Sequence, residues 1–195
     1  LWNVLELGLG TGLNFANTLE AFLDSRNASR LIYTAIECAP LPATTFRHLG
    51  DLNDPTNGLA TELLIASLQK TNEKKSVASS FTKPIQFNLI QKTWQQYNVP
   101  SLQVDAYYHD PFAPKDNPNC WTPECFSWAK NHLGASGILA TYSAASSIRR
   151  AMAQAGLFVA KNEGACGKRE MTLAALKPEL LNCGKLLPKN KQPIL

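Results

Sequence analysis

The sequence predicts an α/β fold: a mostly parallel sheet with helices on both faces and an antiparallel strand at the C-terminal end. Short apolar segments alternate with segments whose apolar residues recur at helical spacing. The first apolar segment runs directly into a glycine-rich turn. The last two strand-like segments are joined by glycines with no helix between them, which sets them antiparallel. At 195 residues the chain has the length of one ordinary domain with a real core.

In order, residues 2–7 read as a buried strand, and Leu13, Phe15, Ala16, Leu19 and Leu23 then mark a helix. Residues 31–36 form a second strand ending at Glu37, and Pro40 and Pro42 introduce a helical stretch through Leu49. The composition changes over about 51–84, where Leu59, Leu63, Leu64 and Leu68 share a helix face and a polar run from Lys70 to Ser80 reads as a solvated insertion. Strands follow at 85–90 and 104–110, then a helix from about Pro123 to Leu133, a strand at 137–142 and a helix at 144–155. Residues 157–160 and 169–175 are the last two strands, with Gly164 and Gly167 in the turn. This reading makes 1–176 the folded domain and 177–195 a basic tail.

With 45% apolar and 17% charged residues, the chain is in the globular range, and no apolar run reaches the ~18 residues that span a bilayer. Membrane and disordered classes are excluded on that basis. The formal charge of +4 is too small for a nucleic-acid coat protein. Its distribution is informative: residues 1–160 carry twelve basic and twelve acidic side chains, residues 161–195 seven and three. The chain opens inside a strand, at Leu1, as a piece of a longer protein would.

Five cysteines with no CxxC pair, and three scattered histidines, argue against a disulfide framework or a metal site. Cys120 and Cys125 could ligate a metal together, but Trp121 and Pro123 between them read as packing. Reduced thiols and a cytoplasmic location are the expectation.

The segment Glu6-Leu-Gly-Leu-Gly-Thr-Gly12 stands where strand turns into helix. Glycines there allow a tight turn and close approach of a ligand to the backbone. A dinucleotide fingerprint would need glycine at Leu13, so the pattern is ExGxGxG, which resembles the first motif of class I S-adenosylmethionine-dependent methyltransferases. Glu37 fits the acidic strand end that takes two ribose hydroxyls on one carboxylate. A plain glycine turn with a solvated Glu37 is the structural alternative.

Asp110 closes the fourth strand, at the sheet edge where ligands bind in open α/β folds. Asp110-Pro111-Phe112 resembles the (Asn/Asp)-Pro-Pro-(Tyr/Phe) motif of amine-directed methyltransferases. A carboxylate accepting N–H bonds can orient an amine and assist loss of its proton, and Phe112 can pack on the developing cation. No metal is needed, because alignment supplies most of the rate of such a displacement. An N-capping Asp in a proline-stiffened loop would carry the same residues.

The third constellation is 163–171, with Arg149 and Arg150 before it. Lysines and arginines beside glycines can meet nucleic-acid phosphates, or form a merely solvated hairpin. Lys185, Lys189 and Lys191 read as solvation. Tyr107, Tyr108, Phe112 and Trp121 could include a stacking platform for a flipped base, though strand alternation sends part of them to the core.

Residues 6–15, Glu37 with Pro40-Leu41, Asp105 through Asp-Pro-Phe-Ala-Pro-Lys-Asp-Asn-Pro and Trp121, 140–142, Arg149-Arg150 and Gly167-Lys-Arg-Glu-Met171 together resemble one family. It is the methyltransferase domain of MnmC-type tRNA 5-methylaminomethyl-2-thiouridine biosynthesis enzymes, a Rossmann-like class I methyltransferase. The resemblance implies transfer of a methyl group from S-adenosylmethionine to the exocyclic amine of 5-aminomethyluridine at the tRNA wobble position. On it, Glu6, Gly8, Gly10, Gly12, Asn14 and Glu37 hold the cofactor, Asp110 and Phe112 are catalytic, and Pro111, Lys168, Arg169 and Glu170 face the substrate.

Two departures stand out: Pro111 replaces a common glycine, and Gln91-Lys92 occupies the place of the Gly-Asp that serves the adenine end. The flavin-dependent half of fused members is expected to be a separately encoded partner. Alternatives are a methyltransferase for another amine, on a protein or small molecule, and a tRNA- or protein-binding module that has lost catalysis.

Overall fold

A computed structural model describes residues 1–50, 54–68, 83–97, 102–164, 170–182, 184–188 and 192. The chain divides into two compact units, Leu1–Tyr97 and Asn98–Leu195. Most of the polar insertion and part of the basic hairpin, including Lys168 and Arg169, lie outside the described residues.

The first unit holds three parallel strands, β1 (Trp2–Leu7), β2 (Leu31–Ile36) and β3 (Ile85–Ile90), with β2 between the others. Helices α1 (Leu13–Asp24), α2 (Ala43–Leu49) and α3 (Pro55–Leu68) connect them. Strands β1 and β2, short and apolar, are largely buried on both faces, as crossover helices require, whereas β3 is buried at Ile85 and Phe87 and half-buried elsewhere. Phe15 of α1 packs on Tyr33 and Phe87 of the sheet, with ring centroids 4.9 and 4.4 Å away. At the far end of α1, Lys83 reaches back to donate to the Phe22 and Leu23 carbonyls, at 3.0 Å each, and to that of Ser25. A cation there meets the negative end of the helix dipole and satisfies carbonyls left without helical partners.

The second unit begins with β4 (Val104–His109), which pairs in parallel with β5 (Leu133–Thr141) after α4 (Pro123–His132). Helix α4 starts as its sequence requires: Thr122 accepts from Cys125 N, and Pro123 fills the first turn, where its missing N–H costs nothing. Then come α5 (Ser146–Gln154), β6 (Phe158–Asn162), β7 (Met171–Ala175) and a two-residue β8 (Lys185–Leu186). Strands β6 and β7 pair antiparallel, as their helix-free connection predicts, and β7 pairs antiparallel with β5 as well. A small core of Ala160, Leu173, Ala175 and Leu181 lies at this end.

Two expectations need correction. Strand β5 begins at Leu133, four residues before the predicted 137, because Gly134 and Gly137 let its backbone close on Val104; a Cβ on Gly137 would sit 2.5 Å from the Val104 carbonyl oxygen. The segment after 176 is more than a solvated tail. It forms a 3-10 turn (Pro178–Leu181) with Leu181 buried, and Lys185 and Leu186 pair with Lys161 and Ala160 at the sheet edge. No helix among the described residues is long and apolar enough to cross a membrane.

His109 gives this unit a measurable acid sensitivity. Its imidazole is wholly buried, Nε2 donating to the Cys120 carbonyl at 2.8 Å and Nδ1 without a hydrogen-bond partner. Burial lowers it to about 3, against a smaller opposing effect of that hydrogen bond. An unfolded histidine titrates near ~6.5, so between the two values the unfolded chain binds a proton that the folded one refuses. The stabilisation, complete above the unfolded value, is lost as pH falls through this window at up to about 1.4 kcal/mol per pH unit. Urea midpoints should therefore drop between about pH 7 and about pH 5, and His109→Gln should flatten the drop. An equally steep drop in the variant would remove His109 as its source.

Candidate active site

The first unit supplies a glycine loop between β1 and α1. Gly8, Gly10 and Gly12 have φ of 88, 52 and 80°, a conformation that costs other residues ~1–2 kcal/mol. Gly12 is also pressed against α3: a Cβ there would come within 2.7 Å of a Leu64 methyl. At Gly10, by contrast, a Cβ would meet nothing within 4 Å. The loop is thus packed on one side and open at Gly10.

Glu6 explains how the loop is held. Its side chain has no exposed surface; Oε1 accepts from Asn14 Nδ2 and Oε2 from Tyr33 Oη, both at 2.8 Å. One buried carboxylate thus ties the start of α1 to β1 and β2. Both oxygens find donors, as a buried polar side chain requires. Glu6 braces the back of the loop through half-buried Asn14. Tyr33 was not foreseen as part of this site, although a tyrosine buried in a strand needs a partner for its hydroxyl.

Glu37 follows β2 and is half-buried; its N–H donates to the Ile90 carbonyl and its Oε1 accepts from Ala39 N, both at 3.0 Å. The local turn fixes the carboxylate just past the C-terminal end of the strand. Gln91 and Lys92, at the corresponding end of β3, are exposed.

The second unit places Asp110, exposed, just past β4. Pro111 is buried, while Phe112 is 74% exposed, an unusual position for a large apolar ring. The Pro111 carbonyl accepts from Tyr142 Oη at 3.1 Å, and the Phe112 carbonyl from Trp121 Nε1 at 2.8 Å. Partial burial, then the nearby Asp110 and Asp116 charges, push the Tyr142 phenol up, so it remains a neutral donor. Of the aromatic cluster, Tyr107 is core, Trp121 is buried and Phe112 faces outward. Cys120 and Cys125 are buried thiols; the contact with Cys120, then burial, pushes Cys125 up and keeps it protonated. Among the described residues, no group of three or more His, Cys, Asp or Glu is placed to hold a metal ion.

The basic constellation separates into two parts. Arg149 is buried, donating from Nε to Thr172 Oγ1 at 2.9 Å and from Nη2 to Glu170 at 3.0 Å, so the phosphate contact considered for it is replaced by an internal ion pair. Lys161 binds the other Glu170 oxygen at 3.1 Å. These two hydrogen bonds, that of Lys161 first, hold the Glu170 carboxyl below the usual range. Glu170 is thereby a clasp between β6, β7 and α5. Thr172 in turn donates to the Ser143 carbonyl at 2.6 Å, linking the clasp to the residue after Tyr142.

Comparison with known proteins agrees with this geometry. A family model described as S-adenosyl-L-methionine-dependent methyltransferase matches residues 65–177. The chain is 29% identical over 173 residues to the tRNA 5-methylaminomethyl-2-thiouridine biosynthesis bifunctional protein MnmC of Hydrogenovibrio crunogenus, covering 86% of this chain and 25% of that protein. It is 29% identical over 183 residues to the protein of the same name from Paraburkholderia xenovorans, covering 91% and 28%. The chain thus spans about a quarter of the length of these relatives. Among solved structures, MNMC2 from Aquifex aeolicus superimposes with a TM-score of 0.70 at 21% identity, covering 97% of this chain and 57% of that one. This likeness shows the fold: a Rossmann-like, mostly parallel sheet with antiparallel C-terminal strands. The chain belongs to the family of S-adenosyl-L-methionine-dependent methyltransferases and is similar, along most of its length, to the MnmC-type methyltransferase domain.

Proposed function

We propose that this protein methylates the exocyclic amine of 5-aminomethyluridine in tRNA. The observation that carries the reading is the exposed Asp110-Pro111-Phe112 segment at the end of β4, in a methyltransferase chain whose relatives are named for biosynthesis of a 5-methylaminomethyl nucleoside. One methyl group on an aminomethyl substituent separates that nucleoside from a primary-amine precursor.

S-adenosylmethionine, when bound, supplies an electrophilic methyl group on a sulfonium. The residues that would hold it are Gly8, Gly10 and Gly12, with Glu37 for the ribose hydroxyls; the open space at Gly10 and the oriented carboxylate fit such a group. Glu6 and Asn14 keep the loop in shape. Asp110 accepts the amine N–H bonds, aims the lone pair and assists loss of the proton. Pro111 stiffens the approach and Phe112 offers an aromatic face to the methylated cation or the uracil ring. Lys168 and Arg169, outside the described residues, are proposed to meet tRNA phosphate, with Glu170 anchoring the hairpin beside them.

Incubation with methyl-labelled S-adenosylmethionine and tRNA bearing 5-aminomethyluridine should transfer label, whereas the same tRNA with unmodified uridine should stay unlabelled. Labelling of both tRNAs alike would place the reaction elsewhere on the tRNA.

A further inference from the structure

The Asp110–Phe112 segment is held by two side chains from outside it. Pro111 fixes its own φ, so the course of the chain beyond Asp110 turns on the ψ of Pro111 and the φ and ψ of Phe112; with β4 on its other side, holding that course fixes the backbone from which the Asp110 carboxylate projects. Those torsions set the directions of the Pro111 and Phe112 carbonyls, and each carbonyl is engaged: Tyr142 Oη donates to the first at 3.1 Å, Trp121 Nε1 to the second at 2.8 Å. The donors come from different elements, one from the end of β5 and one from the 3-10 turn Pro118–Trp121.

The two rings also brace each other edge to face, with centroids 5.7 Å apart. Trp121 is 5% exposed and wedged against His109, at 4.8 Å. Tyr142 is tied through the next residue, whose carbonyl accepts from Thr172, the partner of buried Arg149. The two donors thus hold consecutive carbonyls of a segment whose aspartate and phenylalanine are exposed while the proline between them is buried.

We propose that Tyr142 and Trp121 are positioning residues of methyl transfer, a two-point clamp that presets the Asp110–Phe112 backbone and so the aim of the Asp110 carboxylate. The clamp rests on the role given above to Asp110. It predicts that misaiming, rather than loss of binding, follows when either hydrogen bond is removed.

Tyr142→Phe deletes one donor and keeps the ring; Trp121→Phe deletes the other. With tRNA bearing 5-aminomethyluridine, each should lower kcat by roughly 10- to 100-fold, with KM for tRNA and affinity for S-adenosylhomocysteine unchanged. In an Asp110→Ala background, Tyr142→Phe should cost nothing further, since the group it aims is gone. Wild-type kcat in Tyr142→Phe, or losses that multiply in the double variant, would overturn the clamp. If the wild-type protein does not methylate this tRNA, the substrate reading fails and hydrogen exchange decides the clamp by itself. Amides of Phe112 and Ala113 exchanging about 2- to 12-fold faster in Tyr142→Phe would support it. Unchanged exchange would overturn it.

Discussion

Asp110→Ala should reduce methyl transfer by roughly 10²- to 10⁴-fold, the range for loss of a positioned proton acceptor, while leaving S-adenosylhomocysteine affinity unchanged. On the proposed roles, Asp110, exposed past β4, meets the amine, whereas the glycine loop and Glu37 hold the cofactor. A primary alkylamine is protonated at neutral pH, with a pKa near ~10 in the unperturbed lysine case, and only the neutral form has a lone pair to donate. The aspartate must therefore attract the ammonium, share its proton and hold the remaining lone pair in line. Asp110→Asn keeps acceptor geometry without charge and should fall between the wild type and Asp110→Ala. Loss of cofactor affinity in step with rate would instead make Asp110 a structural residue of the loop.

Gly10→Ala should weaken cofactor binding at least tenfold at modest cost to the fold. At φ 52° an alanine bears roughly 1–2 kcal/mol of strain. Its methyl would meet no protein atom within 4 Å, so it projects where a ligand lying on the loop would pass. Gly12→Ala makes the contrast, because its methyl would collide with Leu64 at 2.7 Å on top of the same backbone strain. Thermal melts should show Gly12→Ala as the less stable of the two. Calorimetry with S-adenosylhomocysteine should show at least a tenfold loss for Gly10→Ala, about 1.4 kcal/mol. Wild-type affinity in Gly10→Ala would move the cofactor away from this loop.

Much of this architecture is legible in local pattern. Strands β1 and β2, the helix after Gly12, the acidic end at Glu37 and the β6–β7 hairpin all announce themselves within a few residues of sequence. The rest depends on contacts distant along the chain. Nothing near Glu6 says that Tyr33 will cap its second oxygen and bury it. The early start of β5 depends on two glycines meeting the Val104 carbonyl, and the pairing of Lys185 and Leu186 on where β6 happens to present an edge. Arg149 reads as a surface phosphate ligand until Glu170 and Thr172 are brought to it. The clamp is of the same kind, since Trp121 and Tyr142 lie 9 and 31 residues from the carbonyls they hold.

The most direct test of the central claim is nucleoside mass spectrometry of wobble-position 5-aminomethyluridine tRNA after incubation with the protein and S-adenosylmethionine. The account predicts conversion of 5-aminomethyl- to 5-methylaminomethyluridine, a gain of one methyl on the side-chain nitrogen, lost in Asp110→Ala. Cofactor binding by the wild-type protein with no such conversion, or a methyl group found on the base ring or ribose, would contradict it.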